Sequence, residues 1–213
     1  TLVEFRFDVR ASRRAMVSWL REKGFDVQRM TEETKTQHII EDAQAQWKHF
    51  DEGHEDFESI KKSLSDILEE FEFRAFREAK PHAGSLRLME TLKRRNIVQA
   101  IVTNSGRRPV DSILDLFGFS KYVALVITRN ELVSLKPNPE GIIKALNELN
   151  VRNSEAAYVG DSTIDIEAAR AAGVTSIAVS TGMYKPDRLV PSAPDYLVQN
   201  IEDVEKVLFS ESI

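Results

Sequence analysis

The chain has 213 residues, 42% of them hydrophobic, enough for one well-buried core with room for a small second domain. A formal charge of -5 leaves no footprint for nucleic acid, which is bound through clustered Lys and Arg, and it disfavours anionic membranes. No apolar run approaches the ~20 residues of a bilayer span, the first residues lack a secretory pattern, and the absence of Cys excludes disulfides and thiolate chemistry, so a cytoplasmic protein is expected.

The opening stretch Val3-Glu4-Phe5-Arg6-Phe7-Asp8 alternates apolar with charged residues, as a half-exposed segment does. From Ala11 to about Lys80 the spacing predicts helices only. Phe57, Ile60, Leu64, Ile67, Leu68 and Phe71 form one apolar stripe, Met16, Trp19 and Leu20 a shorter one, and Gly24 is placed to end the first helix. Both stripes are read as buried faces of a small bundle.

After Pro81 short apolar runs alternate with amphipathic helices. Ile97–Val102, Tyr122–Ile127, Ala156–Val159, Thr175–Val179 and Tyr196–Val198 read as strands. Helical patterns fill the gaps, with Gly118 and Gly173 as stops. Strands linked by helices imply an α/β fold, a doubly wound parallel sheet with its site at the carboxyl ends of the strands.

Three polar clusters fall at those ends. Thr103-Asn104-Ser105-Gly106 follows the first strand, where a hydroxyl and backbone N–H groups can cradle an anion; the same residues suit a plain turn and helix cap. Leu135-Lys136-Pro137-Asn138-Pro139-Glu140 places one Lys in a loop stiffened by two prolines, before a helix starting near Glu140; a solvated surface Lys is the alternative. Gly160-Asp161-Ser162-Thr163-Ile164-Asp165 opens the helix Ile166–Ala172. Its two carboxylates are expected on one helical face as hard ligands for magnesium, or else as compensation of the helix dipole. Gly160 is expected to let the backbone approach a ligand.

With the three clusters in this order, the chain resembles the haloacid dehalogenase superfamily, in particular its phosphoglycolate-phosphatase-like branch with a helical cap. Thr103 matches the Thr or Ser that closes the second motif, Lys136 the Lys before a proline of the third, and Gly160-Asp161-Asp165 the fourth. The match covers Pro81 to about Val198. The resemblance implies residues 1–10 as a remnant of the core's N-terminus, 11–80 as an all-helical cap and 81–213 as a Rossmann-like α/β core. It departs at the first motif, an apolar strand ending in Asp-x-Asp-Gly-Thr-Leu-Val whose first Asp attacks phosphorus. Thr1-Leu2-Val3 looks like the tail of that motif, which would put about 10–15 residues, including both aspartates, before residue 1. The competing alignment takes Asp8 in Phe7-Asp8-Val9-Arg10 as nucleophile. The alternation around it argues against a strand buried on both faces.

The implied function is magnesium-dependent hydrolysis of a small phosphorylated metabolite through an aspartyl-phosphate. Thr103, Lys136 and Asp165 are assigned to catalysis, and Thr103, Asn104 and Lys136 to the phosphate, Asn104 through its backbone amide. Asp161 is assigned to direct magnesium coordination, and Asp165 to the same metal site by orienting Lys136 or a metal-bound water. Substrate choice is left to the cap. Arg107 and Arg108 are read as surface residues able to reach an anion, and His38, His49, His54 and His82 as cap or surface residues. The rival readings are an inactive binding or regulatory protein of the same fold, a phosphomutase and a dehalogenase. A phosphate-receiver domain carries its acidic pair early and its Lys last, the reverse of the order here.

Overall fold

The computed structural model describes residues 1–50, 55–182 and 184–209, so His54 lies outside the described residues. The chain divides into two compact units, Arg6–Arg77 and a second made of Thr1–Phe5 with Glu78–Ile213.

Arg6–Arg77 is helical. Asp8 accepts the Ala11 N–H at 2.8 Å and so caps α1 (Val9–Glu22), which ends as the chain turns through Gly24 at φ +88°. This capping role accounts for Asp8, which is exposed. α2 covers Thr36–Trp47, and α3 covers Phe57–Ala75 behind an Asp56 cap. Their apolar positions recur at three and four residues, and they meet in one cluster: Met16, Val17 and Leu20 from α1, Ile39 and Ala43 from α2, Phe57, Ile60, Leu64 and Leu68 from α3. Ile67 packs against that cluster and Phe71 is half-buried, so the α3 stripe is core. His38 and His49 are exposed.

The second unit is α/β. β1 (Val3–Glu4) pairs antiparallel with β2 (Lys80–Pro81), which draws His82 to Leu2: the His82 N–H donates to the Leu2 carbonyl at 3.0 Å. His82 is thereby half-buried rather than a free surface residue. Then follow α4 (Ser85–Arg94), β3 (Ala100–Val102), α5 (Arg107–Leu116), β4 (Leu125–Ile127), α6 (Glu140–Leu149) and β5 (Ala157–Gly160). The remainder is α7 (Thr163–Ala172), β6 (Thr175–Val179), α8 (Pro186–Leu189), β7 (Tyr196–Val198) and α9 (Val204–Phe209).

Helices cover both faces of these strands, as a doubly wound fold requires. On β6, Ile177 and Val179 pack with Leu88 of α4 and Val204 of α9, while Ala178 between them packs with Ile166 of α7 and Leu189 of α8. On β3, Ile101 joins Met89, Val110 and Leu114, and Val102 joins Ile142 of α6. All pairings among β3 to β7 are parallel, but they form two sheets, β3–β4 and β5–β6–β7. β3 and β5 are not paired with each other. Their burial follows: Ala100 and Ala157 are exposed and Ile101, Val102, Tyr158 and Val159 half-buried, whereas Ser176 to Val179 of β6 are all buried.

Candidate active site

Thr103 is fixed at the end of β3 by its N–H, which donates to the Ile127 carbonyl at 2.9 Å. Its Oγ1 accepts the Ser105 N–H at 3.1 Å, a bond that does not use the hydroxyl's own proton. Asn104 faces the second loop. Its Oδ1 accepts the Lys136 N–H at 3.0 Å and its Nδ2 donates to the Lys136 carbonyl at 3.1 Å. Two further groups hold the loops. Arg129, buried, donates from its guanidinium to the Asn104 carbonyl at 2.8 Å and from its N–H to Ser105. Glu140 accepts the N–H groups of Val133 and Ser134, each at 2.8 Å.

Lys136 reaches back over β3. Its Nζ lies 2.7 Å from Asp165 Oδ1, 2.8 Å from the Tyr158 hydroxyl and 3.2 Å from the Val102 carbonyl. Three donors thus have three acceptors. Burial works against the ammonium, yet Tyr158 and Asp165 outweigh it and hold the Lys136 pKa well above the ordinary lysine value. Burial, only partly offset by Lys136, pushes the Tyr158 hydroxyl up to about 12.

The two carboxylates sit differently from the expectation of one shared helical face. Asp165 is the third residue of α7 and turns back onto its start: Oδ2 accepts from Ser162 Oγ at 2.6 Å, Ser162 N at 3.1 Å and Asp161 N at 3.2 Å. With Oδ1 on Lys136, both of its oxygens are engaged. Asp161 precedes the helix and points elsewhere. Its Oδ1 takes the Thr1 ammonium at 3.0 Å and the Thr1 hydroxyl at 2.5 Å. Among the described residues no group of three His, Cys, Asp or Glu is placed to hold a metal ion.

Two glycines lie against these carboxylates. A Cβ on Gly160 would meet Asp165 Cβ at 2.3 Å, so the glycine leaves room for the carboxylate of its own helix. Gly182, after β6, is pressed against Asp161 in the same way, where a Cβ would lie 2.1 Å from Oδ2. His82 lies near this end of the unit. Partial burial lowers its pKa, against the pull of Asp161 and Glu4.

Thr103, Asn104, Lys136 and Asp165 are thus joined by one run of short contacts, with Asp161 bonded to it through its N–H. Arg107 is occupied by Glu131 at 2.9 Å and the Val126 carbonyl, and Arg108 is exposed. Tyr158, Arg129 and Gly182 belong to the site and carry no motif of their own. Only Thr128-x-x-Glu131, a capping box immediately around Arg129, left a signal in the sequence.

Residues 11–179 match the profile of the haloacid dehalogenase-like hydrolases. The chain belongs to that family. It is 30% identical over 124 residues to the pyrophosphatase PpaX of Halalkalibacterium halodurans, a match covering 58% of each protein. It is 32% identical over 120 residues to a phosphoglycolate phosphatase of Cupriavidus necator, covering 56% of this chain and 52% of that one. The chain therefore spans little more than half the length of these curated relatives. Among solved structures, a hydrolase from Pseudomonas syringae aligns with 100% of this chain and 95% of its own at a TM-score of 0.66 and 17% identity. A predicted phosphoglycolate phosphatase from Haemophilus somnus aligns with 98% and 93% at a TM-score of 0.62 and 20% identity. At such identities the likeness is one of fold.

Among the described residues no helix is long and apolar enough to cross a membrane.

Proposed function

We propose that this haloacid dehalogenase-like chain carries most of the active site of a magnesium-dependent phosphatase, hydrolysing a small phosphate monoester through an aspartyl-phosphate. The observation that carries the reading is the buried Lys136–Asp165 pair, 2.7 Å apart and joined by short contacts to the Thr103–Asn104 turn. An ammonium held charged beside a free hydroxyl and backbone N–H groups is suited to stabilising a phosphoryl group as charge develops on its oxygens. Thr103 donates its hydroxyl proton to a phosphoryl oxygen, with the Asn104 N–H beside it. Lys136 offsets the charge of nucleophile and phosphoryl group together. Asp161 would hold magnesium, which supplies Lewis-acid polarisation of a phosphoryl oxygen when bound. Asp165 acts by orienting Lys136 and the Asp161 N–H, since neither of its oxygens is free.

The nucleophilic aspartate in this reading lies on a strand preceding Thr1. Supporting it is the gap between β3 and β5, whose facing edges have no strand partner among the described residues and whose central positions are only half-buried. One comparison tests both parts: p-nitrophenyl phosphate hydrolysis, with and without magnesium, by this chain and by one extended upstream through its reading frame. Activity confined to the extended form, requiring magnesium and abolished by Asp161→Ala, is expected. Activity of the present chain that Asp8→Asn removes would place the nucleophile at Asp8 instead, and inactivity of both forms would favour a binding protein of the same fold.

A further inference from the structure

Arg129 takes hold of two successive carbonyls in the Thr103 loop. Thr128, fully buried, caps the short turn Arg129–Glu131, and Glu131 closes the box by accepting the Thr128 N–H at 2.7 Å, so the Arg129 backbone is fixed at the first position of that turn. An N–H at this position has no partner inside its own turn, and it is given to the Ser105 carbonyl at 3.0 Å. The side chain returns to the same loop, where Nη1 donates to the Asn104 carbonyl at 2.8 Å. These contacts lie between the ends of β3 and β4, which are paired with each other, so a further strand between β3 and β5 leaves them in place.

The peptide joining Asn104 to Ser105 carries the effect onward. In a trans peptide the carbonyl and the N–H point opposite ways, so a guanidinium on the Asn104 carbonyl also sets the direction of the Ser105 N–H. That N–H donates to Thr103 Oγ1 at 3.1 Å. Electron density drawn toward the carbonyl oxygen makes the N–H a stronger donor, and a hydroxyl oxygen that accepts a stronger bond gives its own proton more readily. Bonds in such a chain strengthen one another by roughly 10–30% each. Arg129 is 8% exposed, so little water screens its charge. A neutral amide could satisfy the same carbonyl at a smaller desolvation cost; what the guanidinium adds is charge.

We propose that Arg129 is a positioning residue acting through the Asn104–Ser105 peptide: it fixes and polarises the N–H that Thr103 Oγ1 accepts, and so orients and strengthens the Thr103 hydroxyl as a donor to a phosphoryl oxygen. The last step rests on the phosphatase reading; the relay from Arg129 to Thr103 does not, and the test separates them.

The relay is read in the chain as it stands, labelled with 15N and 13C. In Arg129→Met the Asn104 carbonyl carbon and the Ser105 amide proton are expected to move upfield together. Exchange of the Ser105 amide with solvent is expected to speed up about tenfold, the factor for one lost hydrogen bond of ordinary strength. Arg129→Lys, which keeps the charge without the planar fork, is expected to fall between parent and Arg129→Met. A Ser105 amide with parent-like shift and exchange in Arg129→Met overturns the proposal whatever the activity. Should Arg129→Met fail to fold, Arg129→Lys is read by the same resonances, and an unmoved Ser105 amide overturns it equally. In the upstream-extended chain, Arg129→Met is expected to lower kcat for p-nitrophenyl phosphate about tenfold with KM little changed, and to lower it no further on a Thr103→Val background. On Thr103→Ser, which keeps a hydroxyl, the dependence on Arg129 should persist. A merely structural brace would lower stability and leave kcat of the folded protein intact, and an undiminished loss on Thr103→Val would overturn action through Thr103. An inactive extended parent defeats the phosphatase reading alone, leaving the Ser105 amide to decide the role of Arg129.

Discussion

The side-chain amide of Asn104 grips the backbone of Lys136 at both ends, accepting its N–H at 3.0 Å and donating to its carbonyl at 3.1 Å. This clamp joins two loops 32 residues apart in sequence and sets the origin from which the Lys136 side chain extends. Asn104→Ala removes both bonds and is expected to cost about 1–3 kcal/mol in urea unfolding. Asn104→Asp keeps the acceptor and loses the donor, so its loss should be smaller at neutral pH. Parent-like stability of Asn104→Ala would mean that the loop is held by Glu140 and its prolines alone.

Gly182 is tested by adding a single carbon. An alanine Cβ there would sit 2.1 Å from Asp161 Oδ2 and 2.3 Å from its Cβ, so the carboxylate or the loop must move. The expected outcome is that magnesium raises the thermal midpoint of the parent but not of Gly182→Ala. Equal shifts in both would show that Asp161 keeps its place or that magnesium binds elsewhere.

The Lys136–Asp165 pair, with side chains 10% and 8% exposed, has its remaining hydrogen bonds satisfied. Lys136→Met leaves a buried carboxylate without its cation, and a loss of about 3–5 kcal/mol is expected in chemical denaturation. The double variant Lys136→Met/Asp165→Leu should recover most of that, short of the ~1 kcal/mol lost with the cap of α7. A double variant no better than the single one would mean that the carboxylate is not what suffers.

Alkaline pH reports on Tyr158. Its folded-state value, about 12, lies above the ordinary 10.0, so the folded protein holds the phenolic proton more tightly than the unfolded chain does. That contribution is complete below pH 10 and is lost as pH rises through about 12, amounting to roughly 2–3 kcal/mol. Comparing stability–pH curves of the parent and Tyr158→Phe isolates it from the lysines titrating nearby. The difference should close between these two pH values; parallel curves would contradict it.

Much of the architecture was legible because it is local. Gly24, Gly118 and Gly173 all adopt positive φ at helix ends, and the α3 stripe from Phe57 to Leu68 is buried as its spacing implies. Val3, Phe5 and Phe7 are half-buried between the exposed Glu4, Arg6 and Asp8, matching the alternation. Thr175 and Tyr196 begin β6 and β7 as expected, but β3, β4 and β5 start later than their apolar runs. Ile97 and Val98 precede β3 and are 44% and 59% exposed, and Ser120–Tyr122 forms a helical turn before β4, because an apolar residue entering a strand looks like one inside it. What the sequence could not reveal is relational. Tyr158 matters through a carbonyl 56 residues away, Arg129 through a carbonyl 25 away, and Gly160 through the Cβ of Asp165; none of these contacts has a period or a spacing to read.

Among the described residues the two sheets of the α/β unit meet without strand pairing, and besides the apolar contacts of Val102 and Ile142 with α7, Lys136 bridges them by reaching both the Val102 carbonyl and Asp165. On the proposed reading, one fastener of that seam, the Lys136 ammonium, is also a group that would meet phosphate. A substitution at Lys136 chosen to tune turnover would then also loosen or tighten the coupling between the two halves.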